Sequence, residues 1–452
     1  MLRDIGSSPF QGNPHAMLPD SFASVLVVFE NCFTAPSFQR FLTLMTGWVL
    51  CTGKRTVTGV MRAAGVVGER EHSGYHRFFN GAAWEPDTVG VALMRLALKA
   101  IPKGVRVNLT IDDTLGRHTG KHIASAGMHR DPLLSCAGKP FWHFGHNWVV
   151  LAVVLEFPRW NKVFSLPVLM RLYRTKKVNE QMKRPHQKRT ELAAELLALV
   201  FKKFPERHFL LIGDNAYINN SVVRNRPENF HIMGRGRMDA ALYATAPKGP
   251  KRRGRPRVKG KRLLSPKDRR GTWTTLKLLI YGRPAVVQVK VFKAVWYKVS
   301  HDKQMLFVVV RNWPGHKKDD VLACTDLSMS ALQVIERYCQ RWSLEETFAW
   351  VKGRLGFEDP QNRTERAVQR TAPMAMWTYS LVILWYANWS KRRTHLPMRL
   401  APWYRTKNAP SFADMLATLR RQSWTLWISD QARADRLDQK NLEPLLDAVG
   451  YA

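Results

Sequence analysis

Val105–Asp112 reads VRVNLTID, and this stretch decides the fold. Apolar and polar residues alternate through it and β-branched residues are frequent, the pattern of a strand, and the run ends on acids, Asp112 and Asp113. Outward from it, Asn147–Phe157 (NWVVLAVVLEF) is almost continuously apolar and suits a strand buried on both faces. Asn179–Arg189 is polar and basic, a loop, and Thr190–Phe204 carries the helical period of ELAAELLALVFKKF. His208–Asp214, HFLLIGD, is a second short apolar strand that also ends on an acid. Strand, strand, helix, strand describes an α/β core.

Upstream of Val105 the period is helical. SFQRFLTLMTGWVLC and PDTVGVALMRLALKAI repeat apolar residues at helical spacing, and GKRTVTGVMRAAG and HSGYHRFFNG between them mix basic and aromatic residues. Residues 1–100 therefore read as a basic helical domain suited to DNA. Downstream, residues 248–270 hold twelve Lys/Arg against one Asp, with several Gly and Pro, a composition that should not pack without a ligand. TWTTLKLLIYG, AVVQVKVFKAVWYKV and QMLFVVVRNW follow as strand-like runs, with Gly-Arg-Pro and His-Asp-Lys as turn signals between them. From Ser328 the helical period returns. The most apolar run, Met374–Trp389, is shorter than the ~20 residues a bilayer demands and reads as a buried core helix, so no membrane partner is expected.

The chain has 452 residues, 71 Lys+Arg against 35 Asp+Glu, and a net charge of +36. Length implies several domains, the 45% hydrophobic content supports a folded core, and the charge draws polyanions through counterion release from phosphates. The five cysteines are scattered and form no CxxC pair, which argues against a disulfide framework or zinc site and for a reducing cytoplasm. MLRDIGSSPFQGNPH carries no apolar signal-peptide core.

Acids at the carboxyl ends of strands in an α/β sheet stand where ligands bind. In-line attack on a phosphodiester requires an activated nucleophile and a stabilised leaving oxygen, and two Mg2+ ions ~3.5–4 Å apart supply both. Mg2+ is hard and takes carboxylate oxygens. Asp112, Asp214 and, about 130 residues later, Glu345 are the candidate set. Alternation along VRVNLTID puts Asp112 on the face opposite Val107, Leu109 and Ile111 and leaves Asp113 in the turn, so Asp112 is the preferred ligand and Asp113 the alternative. His118 and His122, in GRHTGKH, lie too close to Gly116 and Gly120 for a helical zinc pair.

Tyr338, Arg341, Glu345 and Lys352 stand as Y-(2)-R-(3)-E-(6)-K. Spacings of 3, 4 and 7 share one helical face. Ser343-Leu-Glu-Glu346 also matches a capping box, which would start the helix at Ser343, give Glu346 a structural task and confine the shared face to Glu345 and Lys352. The four-residue pattern, its setting YCQRWSLEETFAWVKGRLGFEDPQ, IDDT at Asp112 and IGDNAY at Asp214 resemble the DDE transposases of bacterial insertion sequences, in the branch with a β-rich insertion inside an RNase H-like core. The resemblance covers about residues 100–390.

The resemblance implies an α/β fold in which an RNase H-like catalytic core is interrupted by a β-rich insertion, with an N-terminal helical domain and a helical C-terminal tail. The segments are 1–100, helical and DNA-binding; 101–240, first part of the core; 241–326, the insertion with its basic loop; 327–395, second part of the core; and 396–452, the tail. It implies that Asp112, Asp214 and Glu345 hold two Mg2+ ions, with Mn2+ able to substitute, and that Tyr338, Arg341 and Lys352 contact the transposon-end backbone. An insertion aromatic is implied to stack on an unpaired base; Trp296 and Trp313 are the candidates, and each is equally an insertion-core residue. Arg253-Gly254-Arg255-Pro256 resembles an AT-hook, in which two Arg enter a narrow minor groove. The implied partners are terminal inverted repeats and target DNA, held by a homodimer on nucleoid DNA in a bacterial cytoplasm. The implied reaction is cut-and-paste, through a hairpin intermediate.

Overall fold

A computed structural model describes residues 17–67, 72–120, 122–131, 134–136, 138–224, 226–247, 257–268, 270–398 and 407–433. Among the described residues the first α-helices are α1 (Asp20–Leu26), α2 (Ala35–Leu50), α3 (Val57–Ala63), α4 (Ser73–Asn80) and α5 (Pro86–Leu98). Then come β1 (Val107–Arg117), β2 (Gly127–Arg130), β3 (Trp142–Phe157), β4 (Lys162–Tyr173), α6 (Lys176–Gln181), α7 (Arg189–Lys203), β5 (Phe209–Gly213), α8 (Asn220–Val223) and β6 (Phe230–Arg235). After these lie β7 (Thr274–Ile280), β8 (Arg283–Val295), α9 (Tyr297–Ser300), β9 (Gln304–Arg311) and β10 (Asp320–Cys324). The last helices among the described residues are α10 (Ala331–Cys339), α11 (Trp342–Leu355), α12 (Glu365–Trp389) and α13 (Phe412–Arg433).

The strands of the described residues form one mixed sheet in the order β2-β3-β1-β5-β6-β10-β9-β8-β7, with β4 also paired to β3. β4, β3 and β1 run antiparallel to their neighbours, whereas β1, β5 and β6 are parallel. That order and those directions are consistent with an RNase H-like fold. β10 pairs β6 antiparallel, so the strands of 241–326 extend the same sheet edge to edge. Within that stretch, the run expected to be strand through Val299 turns helical at Tyr297. The β7–β8 turn uses Tyr281 and Gly282 at φ 50° and 75°, the left-handed pair that a tight hairpin needs.

Two expectations change here. β1 does not end at its acids: β3 stays paired to it from Leu109↔Val153 to Arg117↔Gly145, so Asp112 and Asp113 sit mid-strand. The basic stretch was expected not to pack, yet its C-terminal limb does. Ala244 N donates to Lys261 O, Leu263 N donates to Leu242 O, and the Lys259 ammonium lies 4.1 Å and 4.4 Å from the Tyr243 and Tyr297 ring centres. The negative faces of both rings attract the ammonium, so Lys259 pins this limb against Tyr243 and Tyr297. Arg253 and Arg255 lie outside the described residues.

The N-terminal helices share their core with the far end of the chain. α1, α2, α4 and α5 pack on α12, and one apolar cluster runs from Phe22, Trp48 and Phe79 through β1, β3 and β4 to Trp377 and Leu419. α12 is apolar on every side because helices and sheet enclose it, which is the buried core helix the sequence suggests. No described helix is long and apolar enough to cross a membrane. A second cluster, with Leu210, Ile212, Val287, Val308, Val334 and Ile335, seats α10 on the extended half of the sheet.

Candidate active site

The site follows from the pleat of β1. Alternate residues face opposite sides of a strand, and Asn108, Thr110 and Asp112 form a polar stripe facing α10 and α11. Asn108 Nδ2 donates to Gln340 Oε1 at 3.0 Å. The Thr110 and Ser165 hydroxyls are 2.9 Å apart, and those of Ser165 and Ser343 are 2.6 Å apart. Thr347 Oγ1 donates to Ser165 O at 2.9 Å. At the end of the stripe Arg341 Nη1 donates to Asp112 Oδ2 at 3.0 Å, and Arg341 Nη2 lies 2.7 Å from Glu345 Oε1. This buried polar ladder fixes the register of α11 over the strand, and nothing in the local sequence pattern announces it.

Asp214 enters from β5. The last parallel pairs are Thr110↔Ile212 and Ile111↔Gly213, and continuing that register by one residue sets Asp214 beside Asp112 on the same face. Asp214 Oδ1 accepts from Ala216 N at 2.8 Å, which fixes the turn after β5. Burial, then repulsion from Asp214, pushes the Asp112 carboxyl up to about 7 against the pull of Arg341. Burial also raises Asp214, with Asp113 adding to the rise and the Ala216 N–H opposing it. For Arg341, burial works against the charge, but Tyr338, Glu345 and Asp112 outweigh it and raise its pKa.

Asp113 faces the other way. Its Oδ2 accepts from Asn147 Nδ2 at 3.0 Å and Arg189 Nη1 at 2.9 Å, and its Oδ1 accepts from the Tyr217 hydroxyl at 3.4 Å. Arg189 in turn stacks over Tyr173, 4.9 Å from the ring centre.

The helix motif is split by a joint. Tyr338 lies in the last turn of α10, Arg341 at the N-cap of α11, and Glu345 and Lys352 within α11. Gln340 and Arg341 keep right-handed helical angles, and Arg341 N→Tyr338 O and Leu344 N→Arg341 O bonds carry the chain through a tightened turn. Arg341 lies 5.9 Å from the Tyr338 ring centre and 2.7 Å from Glu345 Oε1, so Tyr338, Arg341 and Glu345 meet. Lys352 is two turns further on, where burial and Arg117 lower its pKa and Glu358 opposes them. The capping box expected at Ser343 is absent: Ser343 lies inside α11 and its hydroxyl contacts Ser165, because the tertiary partner outcompetes the local one. The capping box of this region is Ser330–Gln333, at the start of α10.

Both candidate aromatics of the insertion, Trp296 and Trp313, are buried. They are 6% and 2% exposed, Trp296 packed on Phe307 and Trp313 edge-on to Tyr338, because both side chains complete apolar clusters under the extended sheet. His118 packs edge-on to His146 in a loop, not as a helical pair.

A divalent cation fits this donor set chemically. Asp112 and Asp214 are hard carboxylates crowded on one face, and their mutual repulsion is what such a cation relieves. Among the described residues no three acidic, His or Cys side chains yet converge as ligands; the Arg341 guanidinium stands between Asp112 and Glu345.

Two carboxylates stand side by side in an α/β sheet, Asp112 within β1 and Asp214 just past β5, under a helix whose Glu345 shares Arg341 with Asp112. The DDE superfamily endonuclease family matches residues 28–302, well over half the chain, and the chain belongs to it. The match contains Asp112 and Asp214, while Glu345 lies beyond it. Among curated proteins no relative matches the chain.

Proposed function

We propose that this chain is a transposase that cuts DNA at transposon ends and joins them to target DNA. Family membership implies a DNA substrate and divalent-metal cleavage. The reading rests on one observation: Arg341 holds Asp112 and Glu345 together at the place where the β1–β5 register sets Asp214.

In this reading Asp112, Asp214 and Glu345 hold two Mg2+ ions, with Mn2+ as substitute. When bound, the metal activates the attacking hydroxyl and stabilises the leaving oxygen. Tyr338, Arg341 and Lys352 bind phosphates of the transposon end, and the basic stretch with Arg253 and Arg255 adds DNA contacts. The N-terminal helices recognise the terminal inverted repeats, and a homodimer holds two ends. Segment 241–326 acts as the insertion of the catalytic core and 396–452 as its tail.

The substrate is the DNA that brackets the coding sequence. Incubated with Mg2+ and a target plasmid, the protein joins these ends to the plasmid; cleavage without joining assigns an endonuclease instead. Asp112→Ala, Asp214→Ala and Glu345→Ala each abolish cleavage and keep end binding in a gel-shift assay. Full cleavage by any one variant removes that residue from the site.

A further inference from the structure

We infer that Asp113 is a positioning residue that aims Asp112 and Asp214 from behind the sheet. The inference rests on the site reading above and assigns a task to a residue left there without one. Asp113 receives donors from three other elements: Asn147 on β3, Arg189 at the start of α7, and Tyr217 in the turn after β5. Tyr217 is fully buried, and its own N–H donates to Asp214 O at 3.3 Å. A Cβ on Gly213 would stand 3.0 Å from Tyr217 Cβ and 3.3 Å from Ile111 Cγ2, so glycine lets the Tyr217 ring lie tight against the strand end. A chain of contacts therefore runs Arg189–Asp113–Tyr217–Asp214, with Asp112 covalently next to Asp113.

The two neighbouring acids differ in what occupies them. Each Asp113 oxygen already accepts from side chains of the protein, among them a guanidinium. Asp112 Oδ1 accepts from the adjacent backbone N–H of Asp113 at 2.8 Å, and its Oδ2 from one arm of Arg341. Carboxylates that orient metal ligands without touching the metal contribute about 10–100-fold to metal affinity or activity.

Three readouts test the assignment on the full chain: Mn2+ titration followed by electron paramagnetic resonance, single-turnover cleavage of the flanking DNA, and amide exchange across Asp214–Tyr217. Asp113→Ala weakens Mn2+ binding and slows cleavage by about 10–100-fold, leaves the Kd for end DNA unchanged, and speeds exchange in the turn. Asp113→Asn keeps an acceptor oxygen and recovers most of both losses, while Tyr217→Phe falls between wild type and Asp113→Ala. Wild-type exchange and Mn2+ affinity in Asp113→Ala would overturn the inference. So would a complete loss, equal to that of Asp112→Ala and unrescued by Asn, which makes Asp113 itself a ligand. If Asp113→Ala fails to fold, Asp113→Asn and Tyr217→Phe carry the same comparison. Undiminished Mn2+ binding and cleavage in both Asp112→Ala and Asp214→Ala is a different outcome and sinks the underlying site reading.

Discussion

Arg341 gives Asp112 and Glu345 a shared counter-charge, yet burial, and then repulsion from Asp214, pushes the Asp112 carboxyl up to about 7. An acid whose pKa is higher folded than unfolded favours the folded state at low pH, and that contribution is lost as pH rises through the folded value. For Asp112 the window runs from about 4 to about 7. At about 1.4 kcal/mol per unit the metal-free protein loses at most about 4 kcal/mol across it. Asp112→Asn removes the charge and keeps the shape. In chelator it is therefore more stable than wild type at pH 8, and the gain vanishes by pH 4; urea denaturation at both pH values measures it. An equal difference at the two values refutes the assignment. The acids were legible in the sequence because charge after an apolar strand opposes core packing, although Asp112 and Asp113 lie within β1 and not at its end. Their braces were not: Arg189, Asn147 and Tyr217 reach Asp113 from distant stretches, and no local period records such a meeting.

At the scale of elements, the joint between α10 and α11 aims the site. α10 is tied at its start by Ser330, whose hydroxyl accepts from Gln333 N at 3.2 Å while Gln333 Oε1 accepts from Ser330 N at 3.0 Å. Ser330→Ala costs about 1 kcal/mol, read in a denaturation midpoint, and leaves Mn2+ affinity unchanged because Arg341 and Glu345 are held by the Ser165–Ser343–Thr347 ladder instead. The same S-x-x-[E/Q] pattern occurs at Ser343, and there it is misleading: Ser165 on β4 takes the hydroxyl that a cap would use. β4 itself was illegible for a related reason. Pro167 interrupts its apolar run, and a bulge opposite Leu151/Ala152 absorbs the irregularity on a strand that, among the described residues, pairs with β3 alone. The helical period of residues 37–51 and 86–101 did declare α2 and α5, since a long amphipathic stretch needs no tertiary partner to be seen.

For the whole molecule, the bond between its two ends sets cooperativity. Arg370 of α12 is buried, donates to Phe79 O, Ala82 O and Trp84 O, and lies 4.6 Å from the centre of the Trp84 ring. Arg370→Met takes the guanidinium from the Phe79 and Trp84 carbonyls and leaves Ala82 O with only the Trp84 N–H. It lowers stability by about 3 kcal/mol or more, and amide exchange rises together in α4, α5 and α12; a rise confined to α12 would show that the N-terminal helices stand alone. The same joining has a consequence for biogenesis. Roughly 270 residues separate the end of α5 from the start of α12, and at the ribosome's pace that is roughly 15–50 s of synthesis. During that interval the nascent helices have emerged with their inner faces bare, waiting for a partner not yet translated. Prematurely terminated products lacking α12 are therefore sticky fragments for chaperones and proteases to clear, and only a finished polypeptide closes its own beginning.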